Sequence, residues 1–201
     1  MQQGNNQMMD PDKKVKERSA AYPGATIEDI LEFVSPLRNS FRKTLFTRED
    51  VSAVLQRGST IRRDIAAAVQ YGLVDKTVGE GYRLTQLAEH ILEPVSQEER
   101  LDNIVECFKR PKLYSDLIEK YKGQVLPPDE VLRVILTRQH DITSSAAPHA
   151  VEIFIQNANY AGLLNKQRVL MPPNSTELSV GTKEENDLVL VNTAGCATPY
   201  G

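Results

Sequence analysis

Apolar residues recur every three or four positions along residues 22–173, and this spacing predicts a succession of amphipathic helices. The first helix begins at a capping box formed by Thr26 and Asp29. Pro36 falls inside its apolar pattern and predicts that the helix ends or bends there. The apolar face of this helix is formed by Ile27, Ile30, Leu31 and Val34.

A second and a third helix follow, joined by a short turn. Thr47 begins the second helix with a capping box, and Gly58 is expected to supply a positive φ in the turn. Ser59 is expected to cap the third helix, with Arg63 as its most outward arginine. Counted at about 100° per residue, the apolar face of the third helix is formed by Ile61, Ile65, Ala68 and Val69.

Residues 73–84 predict a hairpin with Gly79 and Gly81 at its tip. A helix over residues 59–71 followed by this hairpin is the arrangement of a winged helix-turn-helix, in which the hairpin is the wing.

The same order of patterns recurs in the second half. In both halves a predicted helix ends at a tyrosine, which is followed by a glycine and an apolar pair. The two segments are residues 70–74, with Tyr71-Gly72, and residues 159–164, with Tyr160-Ala161-Gly162. We therefore predict a mainly α protein with small β-hairpins (α+β), built from two tandem winged helix-turn-helix domains. The predicted boundaries are a flexible arm at 1–21, domain 1 at 22–95, domain 2 with a reduced wing at 96–173, and a flexible acidic tail at 174–201 with a possible strand at 187–191.

Several segments carry a family resemblance that spans about residues 22 to 171. Among the most specific are Tyr71-Gly72-Leu73, the return strand Tyr82-Arg83-Leu84-Thr85 and Asn159-Tyr-Ala-Gly-Leu163. The chain is similar to a family of uncharacterised bacterial and archaeal proteins that carry a domain of unknown function built from tandem winged helices. The resemblance implies the fold and assigns no substrate, cofactor or catalytic residue.

Charge is nearly balanced in the folded part of the chain. The formal net charge is −3, and residues 174–201 account for it with four acidic residues and one lysine. Residues 22–95 hold nine basic and ten acidic residues, so no broad basic field attracts nucleic acid, and any DNA contact depends on a local patch.

The third helix supplies such a patch. Arginine is the commonest base reader, and hydroxyl groups at a helix N-terminus suit phosphates. The sequence thus predicts a DNA-binding protein such as a transcriptional regulator, with solvent-exposed structural charge as the alternative interpretation. The predicted DNA-contacting residues are Arg57, Ser59, Thr60, Arg62, Arg63, Lys76 and Arg83.

The second unit suits a protein partner better than DNA. Its equivalent helix exposes Ser144, His149 and Glu152, and no Lys or Arg occurs there before Lys166. Domain 2 is therefore expected to mediate homodimerisation or to bind another protein. In the alternative function both units form an adaptor of a larger complex without DNA contact.

Catalytic and metal chemistry are not predicted. Cys107 fits an apolar helix face as a core residue and is far from Cys196, while His140 and His149 match no ligand spacing. We expect no enzyme activity, no metal and no cofactor. No apolar run approaches the ~20 residues that span a bilayer, so a cytoplasmic protein without membrane contact is expected.

Overall fold

The computed structural model describes residues 18–77, 79 and 81–172. The lysines of the predicted arm, the acidic tail and the possible strand at 187–191 lie outside these residues. The coarse fold class is confirmed, because the described residues are mainly helical with one small antiparallel sheet. In chain order the elements are α1 (Ile27–Phe41), α2 (Arg48–Leu55), α3 (Ile61–Gln70), β1 (Val74–Thr77), β2 (Gly81–Leu84), α4 (Gln86–Leu92), α5 (Gln97–Lys109), α6 (Lys112–Tyr121), α7 (Asp129–Gln139) and α8 (Ala147–Tyr160).

Capping boxes begin α1 and α2, as the sequence predicts. The Thr26 hydroxyl accepts from the Asp29 N–H at 3.1 Å, and the Asp29 carboxylate accepts from the Thr26 N–H at 3.3 Å. Thr47 and Asp50 exchange the same two bonds at 3.2 and 2.8 Å. Each box satisfies backbone amides that have no partner inside the helix, and thereby defines where the helix starts.

Two local expectations need correction. Of the two expectations at Pro36, an end or a bend of the helix, the end is wrong: α1 continues to Phe41, and the flanking Val34 and Leu37 are fully buried and hold the helix against the core. The positive φ in the turn after α2 belongs to Gln56, at 50°, and not to Gly58. A left-handed residue is unfavourable for a side chain with a Cβ, so the tertiary packing of α2 and α3 imposes this conformation.

Helices α3 and α8 end in the same hydrogen-bonded turn, the Schellman motif. In each case a glycine with a left-handed backbone follows the helix, Gly72 with φ 71° and Gly162 with φ 68°. Aligned on these glycines, Tyr71 corresponds to Ala161 and not to Tyr160, so the sequence comparison of the two tyrosines was one residue out of register. The bonds run from Gly72 N–H to Val69 C=O (3.0 Å) and Leu73 N–H to Ala68 C=O (2.9 Å) in α3, and from Gly162 N–H to Asn159 C=O (3.0 Å) and Leu163 N–H to Ala158 C=O (2.9 Å) in α8.

The sheet is a hairpin with one additional bridge. Phe46, which precedes α2, exchanges backbone hydrogen bonds with Tyr82 at 2.9 and 2.8 Å. The Phe46 ring stacks on Tyr82 and on Phe41, with centroids 6.1 and 5.2 Å apart. The register of the hairpin pairs Val74 with Leu84, Asp75 with Arg83, Lys76 with Tyr82, and Thr77 with Gly81.

The second half contains shorter bridges in matching places. Val125, which precedes α7, forms an antiparallel bridge with Val169. Leu164, which follows α8, forms another with Leu170. The described part of the second half therefore has isolated bridges where the first half has a hairpin, since too few residues separate Leu164 from Pro172 to form a longer one.

Both halves contribute to one hydrophobic core. Helix α1 contacts α3 and α4 of the first half and α5 and α8 of the second. The centre of the second half is an aromatic cluster of Phe108, Tyr114 and Phe154, whose ring centroids are 5.4 to 5.8 Å apart. Burial of each such ring stabilises the fold by about 1.5–3 kcal/mol relative to exposure. Cys107 is fully buried in this core, as predicted.

A buried polar network joins the two halves at the centre of this core. The Asn157 side chain accepts from the Ile27 N–H at 2.8 Å and donates to the Tyr71 hydroxyl at 2.8 Å. The Tyr71 hydroxyl in turn donates to the Ala25 C=O at 2.8 Å. Because Tyr71 and Asn157 are both 0% exposed, these bonds satisfy polar groups that water cannot reach.

The segment before α1 lies against the second half. Ala20 N–H donates to Asp141 C=O at 2.9 Å, and the Thr143 N–H donates to the Ser19 hydroxyl at 3.2 Å. The last residues of the predicted arm thus contact the connection between α7 and α8.

Candidate nucleic-acid interface

Helix α3 is held by α1, α2 and β1, and one side of it is left exposed. The exposed arc contains Arg62, Ala66 and Val69, the last at 37% exposure, while Ala67 is fully buried. The predicted apolar face was therefore wrong at Val69, and it omitted Ala67, which is buried. Three consecutive alanines do not show in the sequence which side of the helix faces the core, so packing against α1, α2 and β1 decides which side is buried.

Arg63, the arginine expected to point outward, has 58% of its side chain exposed and is also paired with Asp64. Asp64 is 5% exposed, and its carboxylate accepts from Arg63 Nε at 3.0 Å and lies 3.0 Å from Arg63 Nη2. The Arg63 stem also packs on Gly24, where an added Cβ would lie 3.3 Å from Arg63 Cγ. Arg63 is thus exposed but ion-paired, whereas Arg62, the other exposed arginine of α3, has no ion-pair partner among the described residues.

The start of α3 differs from the predicted cap. The N-cap residue is Thr60, which has helical backbone angles and makes no side-chain capping bond, so the prediction of Ser59 as the cap was wrong. Ser59 is exposed in the preceding turn and Thr60 is half-buried. Because no side chain caps the first-turn amides, these N–H groups remain able to bind an anion.

The turn between α2 and α3 presents Arg57. The Ser52 hydroxyl donates to the Arg57 C=O at 2.9 Å, which fixes the backbone while the Arg57 side chain is exposed. Arg57 therefore lies three residues before the uncapped amides of α3, on a backbone that is already ordered.

The hairpin presents its two cations on opposite faces. Lys76 is paired with Tyr82, on the side that contacts Phe46, whereas Arg83 is paired with Asp75 on the other side. Cross-strand partners share a face of the sheet, so the carboxylate of Asp75 lies on the same face as Arg83. The two predicted wing cations thus lie on opposite faces of the hairpin.

Helix α8 has a different exposed surface. His149, Glu152 and Gln156 are exposed, and α8 contains no Lys or Arg. Pro148 occupies its first turn, as expected for a residue without an amide donor. The exposed faces of α3 and α8 therefore differ in charge, although the two helices end in the same way.

The two histidines of the second half serve other contacts. His140 Nδ1 lies 3.9 Å from an Asp116 carboxylate oxygen, and the His149 ring meets Tyr22 edge-on at 6.3 Å. Within residues 18–172 as described, no group of three or more His, Cys, Asp or Glu side chains is arranged to hold a metal ion. Among the same residues, no helix is both long enough and apolar enough to cross a lipid bilayer.

Comparisons with known proteins found no relative of this chain. No family model matches the chain, and neither the curated proteins nor the solved structures contain a match.

Sequence reasoning missed two residues of this surface. The burial of Asp64 was missed because the sequence Arg63-Asp64 looks the same whether both charged side chains are exposed or one of them is buried. The left-handed Gln56 was missed because the neighbouring Gly58 is the residue that usually adopts that conformation.

Proposed function

We propose that the chain is a DNA-binding protein of two tandem winged-helix units, such as a transcriptional regulator, and that it contacts duplex DNA through α3. The winged-helix interpretation is supported in the first unit by the order α1, α2, α3, hairpin, and by the bridge from Phe46 to Tyr82 beside the hairpin. It is supported in the second unit by the matching Schellman turn and by the bridge from Val125 to Val169.

The observation that carries the proposal is the charge of the exposed side of α3. Its one acidic residue, Asp64, is buried against Arg63, so the outward side carries Arg62 without an exposed carboxylate. Ala66 is small, which allows close approach of another surface. Uncapped first-turn amides and the exposed Arg57 extend the positive potential toward the N-terminus of the helix, the end that helix-turn-helix proteins present to the groove.

The contacts are expected to be unequal. Arg62 is the candidate base reader, while Arg57, Ser59 and the α3 amides suit phosphates. Arg63 is expected to contribute little because Asp64 already pairs with it. Only one of Lys76 and Arg83 is expected to meet the same duplex as α3, since they lie on opposite faces of the hairpin.

A salt-dependent titration tests this proposal. Fluorescence anisotropy of a labelled duplex, measured across a series of salt concentrations, gives a slope of log K against log salt of about −0.9 for each phosphate neutralised. The double variant Arg57→Ala/Arg62→Ala is expected to weaken binding and to make the slope shallower by up to about two. Arg133→Ala/Arg138→Ala removes the same charge from the exposed side of α7 and is the matched control.

The comparison of the two double variants decides the outcome. Equal affinities for both, or no binding by the natural chain at low salt, would refute DNA contact through α3. A loss confined to Arg57→Ala/Arg62→Ala supports it, and Arg63→Ala is then expected to have the smaller effect of the single variants.

A protein contact through the second half is favoured by one observation on α7. Val131 and Val134 are one helical turn apart and 46% and 48% exposed. We infer that this face contributes to self-association or to an adaptor surface. Sedimentation of the natural chain against Val131→Lys/Val134→Lys tests self-association, and a monomeric natural chain eliminates the homodimer.

A further inference from the structure

A cleft of 720 Å³ lies on the first half and is lined by no residue of α3. It is formed by the C-terminal end of α1, the turn at residues 42–44, and the last turn of α4 with the following Glu93. This volume is within the range of about 300–1,000 Å³ that small-molecule sites occupy. Its lining includes the half-buried Phe41 ring and the side chains of Arg38, Arg42, Lys43, Glu89 and His90.

Arg42 has an unusual backbone. Its φ is 46° and its ψ is −110°, a region that residues with a Cβ rarely occupy. The conformation is held by the Arg42 N–H, which donates to Arg38 C=O at 3.0 Å, and by Thr44, whose N–H and hydroxyl both donate to Phe41 C=O at 2.8 and 2.6 Å. Glycine suits such a position at lower cost. Backbone strain of this kind is characteristic of ligand-binding segments, where the surrounding structure maintains it.

The cations of the cleft are not equally available. Arg38 is engaged by an ion pair with Glu93 at the end of α4. Arg42 and Lys43 are exposed and take part in no ion pair among the described residues. The one other carboxylate that lines the cleft is Glu89, so the free charge of the lining is positive.

The helix dipole is a competing explanation, since cations are favoured at the C-terminus of α1 whether or not a ligand binds. It accounts for the presence of Lys43. It does not account for an arginine in a strained conformation at Arg42, because the neighbouring positions offer the same dipole without that strain.

We propose that this cleft binds the phosphate group of a small phosphorylated molecule, with Arg42 and Lys43 as its anion-binding side chains. A guanidinium and an ammonium group from adjacent residues match the charge and the donor requirement of a phosphate. The Phe41 ring, which is fixed by stacking on Phe46, offers an apolar wall to the rest of the molecule. This inference does not depend on DNA binding by α3, although DNA backbone phosphates have the same chemistry and must be distinguished.

Isothermal titration calorimetry of the full chain with AMP and with inorganic pyrophosphate tests the proposal. We expect saturable binding with a Kd of about 1 mM or tighter for at least one of the two. Arg42→Gly removes the guanidinium and relieves the strained backbone, so the variant is expected to fold at least as well and to bind about 10- to 100-fold more weakly. Lys43→Ala keeps the strain and is expected to weaken binding as well, whereas Arg133→Ala on α7 is expected to leave it unchanged.

Absence of saturable binding by either probe overturns the proposal, as does equal binding by Arg42→Gly and the natural chain. Loss of duplex affinity in Arg42→Gly without any binding of AMP or pyrophosphate also overturns it, because the phosphate source is then the DNA backbone. Binding of either probe by a chain that binds no duplex supports this inference while rejecting DNA contact through α3, so the two failures are distinguishable.

Discussion

The buried amide of Asn157 is expected to be a main polar stabiliser of the contact between the two halves. Asn157→Leu retains a similar volume and removes both polar atoms. The Ile27 N–H then loses its acceptor, and the Tyr71 hydroxyl loses its donor while keeping its bond to Ala25.

The expected cost follows from these losses. A buried donor left without a partner costs about 1–3 kcal/mol, and loss of the second bond adds about 0.5–1.5 kcal/mol. We therefore expect Asn157→Leu to lower the free energy of unfolding by about 1.5–4.5 kcal/mol. For a domain stabilised by about 5–15 kcal/mol this is a large fraction of the total.

Urea unfolding followed by far-ultraviolet circular dichroism is a suitable assay, because the described fold is mainly helical and the chain has no tryptophan. The urea midpoint should fall while the slope m stays constant, which indicates a change in stability alone. Asn159→Leu, two residues further along α8 and exposed, is the matched control and should remain within about 0.5 kcal/mol of the natural chain.

The partner of Asn157 provides a second comparison. Tyr71→Phe leaves the Ala25 carbonyl and the Asn157 amide without their bonds and should destabilise. Tyr121→Phe is its control, because the Tyr121 side chain is buried to a similar degree and its hydroxyl makes no hydrogen bond among the described residues, so its loss should be close to neutral. The double variant Tyr71→Phe/Asn157→Leu should cost less than the sum of the two single changes, since both remove the same bond. Additive effects, or a cost for Asn157→Leu no larger than for Asn159→Leu, would show that the network does not stabilise this contact.

Two further predictions concern single residues. Gly72→Ala is expected to destabilise the chain by roughly 1 kcal/mol or more, because Gly72 has φ 71° and an added Cβ would lie 2.5 Å from Arg110 Cδ. Gly58→Ala is the control for thermal unfolding, because nothing lies within 4 Å of the Cβ that it adds. Equal melting temperatures of the two variants would contradict the reasoning. Burial raises the pKa of the Cys107 thiol, so in a Cys196→Ser background it should not react with a disulfide reagent at pH 8 until the protein is unfolded; rapid reaction of the native protein would contradict its burial.

The helices and their starting points were predictable because their signals are local. The Thr26 and Thr47 capping boxes combine a side chain and a backbone amide three residues apart, and the hairpin over residues 74–84 follows from the glycines at its tip. These features depend little on which distant element packs against them.

The orientation of α3 and the pairing of its charged side chains were not predictable, because both depend on residues that are distant in the sequence. The burial of Ala67 and Asp64 depends on three packing partners, and the pairing of Arg63 depends on where Asp64 is buried. The network of Asn157 joins residues 86 and 130 positions apart, and an asparagine in the sequence gives no sign of such a partner. The strained backbone at Arg42 also could not be predicted, since neither neighbouring residue is a glycine or a proline.

The bond between Ile27 and Asn157 also constrains folding during synthesis. The acceptor of the Ile27 N–H is on Asn157, which is translated 130 residues later. At the usual ribosomal speed of about 5–20 residues per second, this delay is roughly 7–26 s. During that interval the emerging first half exposes the side of α1 that α8 later covers, so this surface is open to non-native contacts until α8 is synthesised.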